Sequence, residues 1–279
     1  MAFKRIIRLD VGFNKGTNLR LSDLDMSFEI KRSFKIENNT AKFIIYNAKA
    51  QTRNKVLVKD NNITFQAGYE DEGNIGTIFS GIILTSDSRR VDTEWITEIM
   101  ATDFGANTGN LLKETISVNY GKATAAAVII TDIKNALSVP IAGLSNLTFS
   151  LSGGYSYSGS IRGIIKEMSD ILKTNDIGLY FDNSEMVLYR LGQQNSEFGV
   201  LRITGNSGLI GPIEKIKDQN YSDNKERLKF KVLLNPAVKP NKIINLSTKD
   251  YSGIYITEEV LFAGDNFGGD FFSELEVVE

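Results

Sequence analysis

The sequence predicts a mainly β protein with a small α+β insert, in which one β-module is used twice. Three observations predict it. Strand signals fill the chain from Phe3 to about Phe104 and return from Gly192 onward, while the middle carries helical spacing. An apolar run ending on Asn occurs twice, at Phe43-Ile44-Ile45-Tyr46-Asn47 and at Leu228 to Asn235. Each is followed by an aromatic-Ser-Gly-Ile pattern, at Phe79 to Ile82 and at Tyr251 to Ile254. The boundaries expected from this are 1–105 for the first β-module, 106–192 for the insert and 193–279 for the second.

In the first module Met26, Phe28 and Ile30 alternate with Ser27, Glu29 and Lys31, the period of a sheet with one buried face. Asn38-Asn39-Thr40 reads as the turn into Ala41 to Tyr46, so residues 26 to 46 form a hairpin. Ala48 to Leu57 has room for a short helical turn before the strand Ile63 to Tyr69. Asp71-Glu72-Gly73-Asn74 is turn chemistry, and Thr77 to Leu84 is another strand. Thr93 to Ala101 is a strand whose alternation blurs at Trp95-Ile96.

In the insert, Ile129, Ile130, Ile133 and Leu137 fall on one face of a helix that ends ahead of Pro140. Ser160 is the N-cap of a second helix, in which Ile161, Ile164, Ile165, Met168 and Leu172 line one face. The Gly/Ser-rich Leu151 to Gly159 reads as an exposed loop. Ile177 to Phe181, Asp182 to Glu185 and Met186 to Tyr189 read as strand, turn and strand.

Beyond Gly192, Val200 to Thr204 and Leu228 to Leu234 are strands flanking a polar stretch with turn residues at Asp218, Asn220 and Asp223. Lys242 to Leu246, Gly253 to Phe262 and Phe271 to the C-terminus follow. Gly264 to Asp270 joins the last two, and ending on a strand pins the terminus into a sheet.

Composition narrows the function. The 279 residues hold 42% hydrophobic and 24% charged residues at a net charge of −2, enough to bury a core. They contain no His and no Cys, which excludes Ser-His-Asp and thiol catalysis, disulfides and Cys/His metal sites. No apolar run approaches the roughly 18–20 residues that span a bilayer, so the chain is expected to fold in a cytoplasm without inserting into a membrane. The charge is uneven: residues 1 to 60 carry 13 Lys and Arg against 6 Asp and Glu, whereas residues 250 to 279 carry 8 acids and no Lys or Arg. Solvated strand faces explain this. A sharper reading has the two ends meeting across a subunit boundary.

No motif carries chemistry. Gly121-Lys122-Ala123-Thr124 lacks the upstream Gly of a phosphate loop, where Ile116 stands instead, and its hydroxyl is one place late. Asp23 with Asp25, Asp71 with Glu72, and Glu258 with Glu259 are carboxylate pairs of the kind sugar hydrolysis needs, yet all lie beside turns or on alternating strands. Asp265 to Asp270 departs from calcium-loop spacing and reads as a glycine-rich hairpin loop. The Lys and Arg residues from Lys4 to Lys59 form no concentrated run with interleaved aromatics, so no specific nucleic-acid recognition is expected. The expectation is therefore no catalytic, cofactor-binding or metal residues and no enzyme.

Laid out in this order, the motifs resemble those of the baseplate hub proteins of contractile phage tails and related injection particles, the late-control-protein-D-like hubs. The resemblance rests on Thr40 to Ala48 with Thr52-Arg53, Ala67-Gly68-Tyr69, Phe79 to Ile83 and Ala101-Thr102-Asp103. It continues through Leu233 to Pro236, Gly253-Ile254-Tyr255 and Gly264-Asp265. It departs from the family pattern at Phe262-Ala263, where His often precedes the Gly-Asp, and at Phe271-Phe272, where Trp is frequent. The resemblance extends to no cell-wall hydrolase domain within these 279 residues, so no lytic activity is expected.

The resemblance implies two tube-protein-like antiparallel β-barrels separated by a small α+β domain, in a virion structural protein of the tail baseplate. It implies a homotrimer whose six barrels present a quasi-sixfold face to a hexameric tail tube, or its initiator, and a threefold face to the central spike. Baseplate wedge proteins are further partners it suggests, and the channel it encloses is an exit path. A carbohydrate-active or cell-surface-binding β-protein of a phage particle is the alternative.

Overall fold

The computed structural model describes residues 4–12, 18–34, 39–56, 58–71, 73–103, 115–191, 199–206, 208–216 and 225–279. Asn38, Glu72, Asp218, Asn220 and Asp223 lie outside them. The first module holds β1 (Arg5–Gly12), β2 (Leu19–Leu21), β3 (Met26–Ser33), β4 (Thr40–Tyr46), the short helix α1 (Ala50–Val56), β5 (Asn62–Tyr69), β6 (Gly76–Val91) and β7 (Glu94–Thr102). The insert holds β8 (Thr115–Tyr120), β9 (Thr124–Ala125), α2 (Ala126–Leu137), β10 (Ile141–Ala142), β11 (Ser150–Leu151), β12 (Tyr155–Ser160), α3 (Ile161–Lys173), β13 (Ile177–Asp182) and β14 (Glu185–Arg190). Then come β15 (Val200–Thr204), β16 (Leu209–Lys215), β17 (Arg227–Leu233), β18 (Ile243–Ser247), β19 (Ser252–Asp265) and β20 (Phe271–Val278).

The protein is mainly β, with a small α+β insert. Along the first module the strands run β3-β4-β7-β6-β5-β1-β2, and along the second β16-β17-β20-β19, with β18 and β15 continuing beside β19. The two runs share one sheet because β19 also pairs with β3, from Glu259 opposite Ser33 to Asp265 opposite Ser27. Their inner faces form a single apolar core. Alternation decides which residues enter it: Phe28, Ile30, Phe43 and Ile45 point in, as do Phe230, Val232, Leu275 and Val277. Aromatic rings bridge the halves, Phe271 lying 5.8 Å from Phe28 and 5.2 Å from Tyr69.

The duplication is written in the strand registers. The order β4-β7-β6-β5 of the first module matches β17-β20-β19-β18 of the second, with β3 matched by β16. Thr97, Ile99, Ala101 and Thr102 of β7 correspond to Ser273, Leu275, Val277 and Val278 of β20, and all eight are buried. A bulge between Ile83 and Thr85 recurs between Thr257 and Glu259, at the corresponding pairs with β7 and β20. The motif echo, however, runs two places out of step. Register places Gly81 on Tyr255 and Phe79 on Gly253, because Ile63 faces Gly81 where Ile244 faces Tyr255. The reading that equated Gly81 with Gly253 is corrected by this pairing. Gly81 is required for its own reason, since a Cβ there would stand 2.1 Å from the Thr102 carbonyl oxygen.

The insert packs on its own core: Ile129, Ile130 and Ile133 of α2 meet Ile164, Ile165, Met168 and Leu172 of α3 over Leu179, Phe181, Met186 and Leu188. The Ser160 hydroxyl caps α3 by accepting from Gly163 N at 3.1 Å, as its sequence predicts. The expected loop over Leu151 to Gly159 is instead largely strand. Tyr155 to Ser160 pairs with β8, and the alternation of Tyr155 and Tyr157 with Ser156 and Ser158 overrides the glycine and serine content.

Candidate functional site

The features that stand out in the described residues are joints, and two of them meet at β3. The first is the β3–β19 pairing. Around it Lys31 and Glu259 form an ion pair of 3.0 Å, and Arg5 donates to Gly269 O at 2.7 Å while lying 3.6 Å from the Asp265 carboxylate. The Asp265 Oδ1 accepts from the backbone N–H groups of Phe267, Gly268 and Gly269 at 3.0, 2.8 and 2.8 Å. Its carboxylate thus braces the turn, and Gly269 is needed because a Cβ would press on Asp265 Oδ2 at 2.1 Å. Asn266 closes the contact: its Oδ1 accepts from Met26 N at 2.9 Å and its Nδ2 donates to Leu24 O at 3.0 Å.

The basic beginning and acidic end of the chain therefore meet within one molecule. Arg227 with Glu258, and Lys229 with Glu274 and Glu276, extend the same pattern inside the second module.

The second joint ties the insert to the first module through buried polar groups. Arg32 lies on the inward face of β3, its side chain 2% exposed, and its guanidinium grips the Asp182 carboxylate through two bonds of 2.9 and 2.6 Å. It also donates to Ile78 O at 3.0 Å. Asp182 ends β13, and the two residues after it, Asn183 and Ser184, have φ of 49° and 65°, as a tight two-residue hairpin turn demands. That turn plugs into the first module. Asn183 N donates to Asp103 Oδ2 at 3.2 Å, Asn183 Oδ1 accepts from Ser80 N at 2.9 Å, and the Ser184 hydroxyl donates to Asp103 O.

Asn39 completes the network. It donates to Asp103 through its backbone N at 3.0 Å and its Nδ2 at 2.7 Å, and accepts from Ser33 N at 2.8 Å. Burial, and then the nearby charge of Asp182, push the Asp103 carboxyl up to about 7, against the lowering effect of the Asn39 bonds and of Arg32. In the sequence Asp103 stands out only as a member of the Ala101-Thr102-Asp103 motif, with no sign of its role, because its partners lie at positions 39 and 183.

The other singled-out residues serve local structure or face solvent. Asn47 sits at φ 52°, donates its backbone N–H to Trp95 O at 2.7 Å and accepts from Trp95 N through its Oδ1 at 3.0 Å. Arg53 of α1 lies 3.7 Å from the centre of the Trp95 ring and donates to Ala48 O at 2.7 Å. Tyr69 of the Ala-Gly-Tyr motif donates its hydroxyl to Phe271 O at 3.2 Å. Asp23, Asp25, Asp71 and Lys122 are exposed, and Gly121-Lys122 is a turn between β8 and β9. Glu258 and Glu259, the adjacent carboxylates, are each engaged by a different cation, Arg227 and Lys31. Among the described residues no group of three or more carboxylate, His or Cys side chains is placed to hold a metal ion, and no helix is long and apolar enough to cross a membrane.

No protein-family model matches the sequence, and no curated protein does. Solved structures do match the fold over nearly its whole length. The 43 kDa tail protein of prophage MuSo2 from Shewanella oneidensis superposes with a TM-score of 0.68 at 9% identity, covering 99% of this chain and 97% of that one. A tail protein from Neisseria meningitidis MC58 gives 0.65 at 11% identity, with coverages of 99% and 97%. An Escherichia coli component of the type VI secretion system, described as structurally similar to the T4 tail proteins gp27 and gp5, gives 0.61 at 8%, with coverages of 96% and 76%. The fold is thus one found in phage tail proteins and in a related secretion-system component.

Proposed function

We propose that the protein is a structural hub of a phage-type tail baseplate. Three copies form a ring that adapts a hexameric tail tube to a threefold central spike and encloses the exit channel. The observation that carries this reading is the register-for-register duplication, bulge included, of one β-module within a chain. Two near-equivalent modules per chain turn a threefold ring into six similar positions, which is what a joint between sixfold and threefold parts requires. The fold shared with tail proteins supports the same role.

In this reading residues 1–105 and 193–279 are the two tube-like units, and 106–192 is the domain between them. The partners are a second and third copy, the tube or its initiator, the spike, and baseplate wedge proteins, all within the virion tail. No catalytic step is proposed. The carboxylates that a sugar-cleaving alternative would use at Glu258 and Glu259 are held in separate ion pairs. Light scattering of the purified chain, alone and with its tube or spike partner, tests the reading. A trimer is expected, burying on the order of 2,000 Å² or more per interface. A monomer at every concentration, with or without partner, overturns it.

A further inference from the structure

The duplication leaves one joint half used. Within the chain, β19 of the second module pairs with β3 of the first, and the strands corresponding to them are β6 and β16. Among the described residues both of those have an open edge: beyond Ile83, which exchanges backbone bonds with Asp60 and Asn61, β6 pairs only with β7, and β16 pairs only with β17. An unpaired edge is a template for another strand. We propose that β6 of one copy pairs antiparallel with β16 of a second copy, repeating between chains the joint that β19 and β3 make within one. This rests on the ring reading and specifies its contact.

The correspondence fixes a register. Asp265 opposite Ser27 becomes Val91 opposite Ile210, Ala263 opposite Glu29 becomes Arg89 opposite Glu214, and Phe262 opposite Ile30 becomes Ser88 opposite Lys215. The side chains so matched complement one another. Val91 and Ile210 are large apolar residues exposed to 40% and 39%, and each supplies the cover the other lacks. Arg89 is largely exposed and held within its own chain only by long ion pairs of 3.4 Å to Asp87 and 3.8 Å to Glu98, whereas Glu214 makes no ion pair among the described residues. Between the two matched positions β16 bulges, so Arg90 faces Gly211 to Ile213 and the Pro212 nitrogen, which has no hydrogen to donate, falls outside the ladder.

The new joint is also more polar than the internal one. Where β19 carries buried Val260 and Phe262, β6 carries Ser86 and Ser88, which are only partly buried. The internal joint is therefore permanent, while its copy between chains forms on assembly. Because β6 and β16 are different surfaces, the contact is head-to-tail and closes into a ring rather than a two-fold dimer.

The chain has no cysteine, which makes the test direct. In the full-length double variant Val91→Cys, Ile210→Cys, oxidation is expected to link copies into a ladder that ends at the closed ring. Asp87→Cys with Ile210→Cys, displaced by about 13 Å along the strand, should not link. Arg89→Glu should weaken association several-fold at low salt, and adding Glu214→Arg should restore it. A ring seen by light scattering without the Val91–Ile210 link, and with no effect of Arg89→Glu, overturns this joint while leaving the ring intact. Absence of association at any concentration overturns both.

Discussion

Asp60 and Asn241 occupy the same place in the two β-modules. Each adopts a left-handed backbone, at φ 68° and 60°, and each donates its N–H to a strand carbonyl, Ile83 O at 3.0 Å and Thr257 O at 2.8 Å. Each also buries a side-chain atom, Oδ1 and Nδ2 respectively, that has no hydrogen-bond partner among the described residues. What the pair share is a backbone requirement. Glycine at either site should therefore be more stable than alanine by about 1 kcal/mol, since left-handed φ strains a Cβ. Urea unfolding of Asp60→Gly, Asp60→Ala, Asn241→Gly and Asn241→Ala measures this, and equal midpoints within each pair would refute it.

Arg32 and Asp182 are predicted to be the most sensitive charged pair. Arg32→Ala leaves the Asp182 carboxylate without its partner in a buried setting, at a cost of about 3–5 kcal/mol. Arg32→Ala, Asp182→Ala and the double variant make a thermodynamic cycle. The coupling should far exceed that of Lys31 with Glu259, a partly exposed pair worth about 0–1 kcal/mol.

Asp103 predicts a pH dependence. Its folded carboxyl titrates near 7, above the ordinary value near 3.9, so the folded chain holds a proton that the unfolded chain has already released. The stabilisation is full below about pH 4 and is lost as pH rises through 7, at up to about 1.4 kcal/mol per pH unit within that window. With no histidine in the chain, few other groups titrate between pH 5 and 8. Unfolding midpoints should fall over that range in the native protein and stay level in Asp103→Asn. An identical slope in both would assign the effect elsewhere.

Two glycines with the same sequence neighbourhood should behave differently. Gly81→Ala drives a Cβ into the Thr102 carbonyl and should cost about 1–3 kcal/mol, whereas Gly253→Ala meets only the Tyr255 ring at 3.1 Å and should cost well under half as much. Thermal unfolding compares them, and equal losses would contradict the shifted register.

The charges at 258 and 259 separate as well. Glu259→Lys faces partly exposed Lys31 and should shift stability by about 1 kcal/mol or less. Glu258→Lys confronts Arg227, whose side chain is 7% exposed, and should destabilise several times more. Chemical denaturation of the two reversals distinguishes them.

What was legible in the sequence was local. Met26 to Ile30 announced a half-buried strand, Ser160 announced its helix, and Asp182 to Glu185 announced its turn, because periodicity and capping act over a few residues. The edge strand β16 was hidden by Gly211 and Pro212, residues that break central strands but are tolerated at an edge. Tyr155 to Ser160 was hidden by its serines. The network of Arg32, Asn39, Asp103 and Asp182 could not be read at all, since its members are brought together only by the hairpin docking of a separate core. The echo of Gly81 in Gly253 suggested the true duplication through a misleading alignment: pairing partners, not neighbours in the chain, set register.

The pairing of β3 with β19 also sets an order of events at the ribosome. A chain made from its N-terminus completes β3 early, yet its partner residues Glu259 to Asp265 follow in the sequence only after the whole insert and most of the second module. Throughout that interval one edge of the nascent first module lies open to strands of neighbouring nascent chains. The turn from Asp265 to Asp270, which fastens β19 to the beginning of β3, is thus also the clasp that ends the period in which misassembly competes with folding.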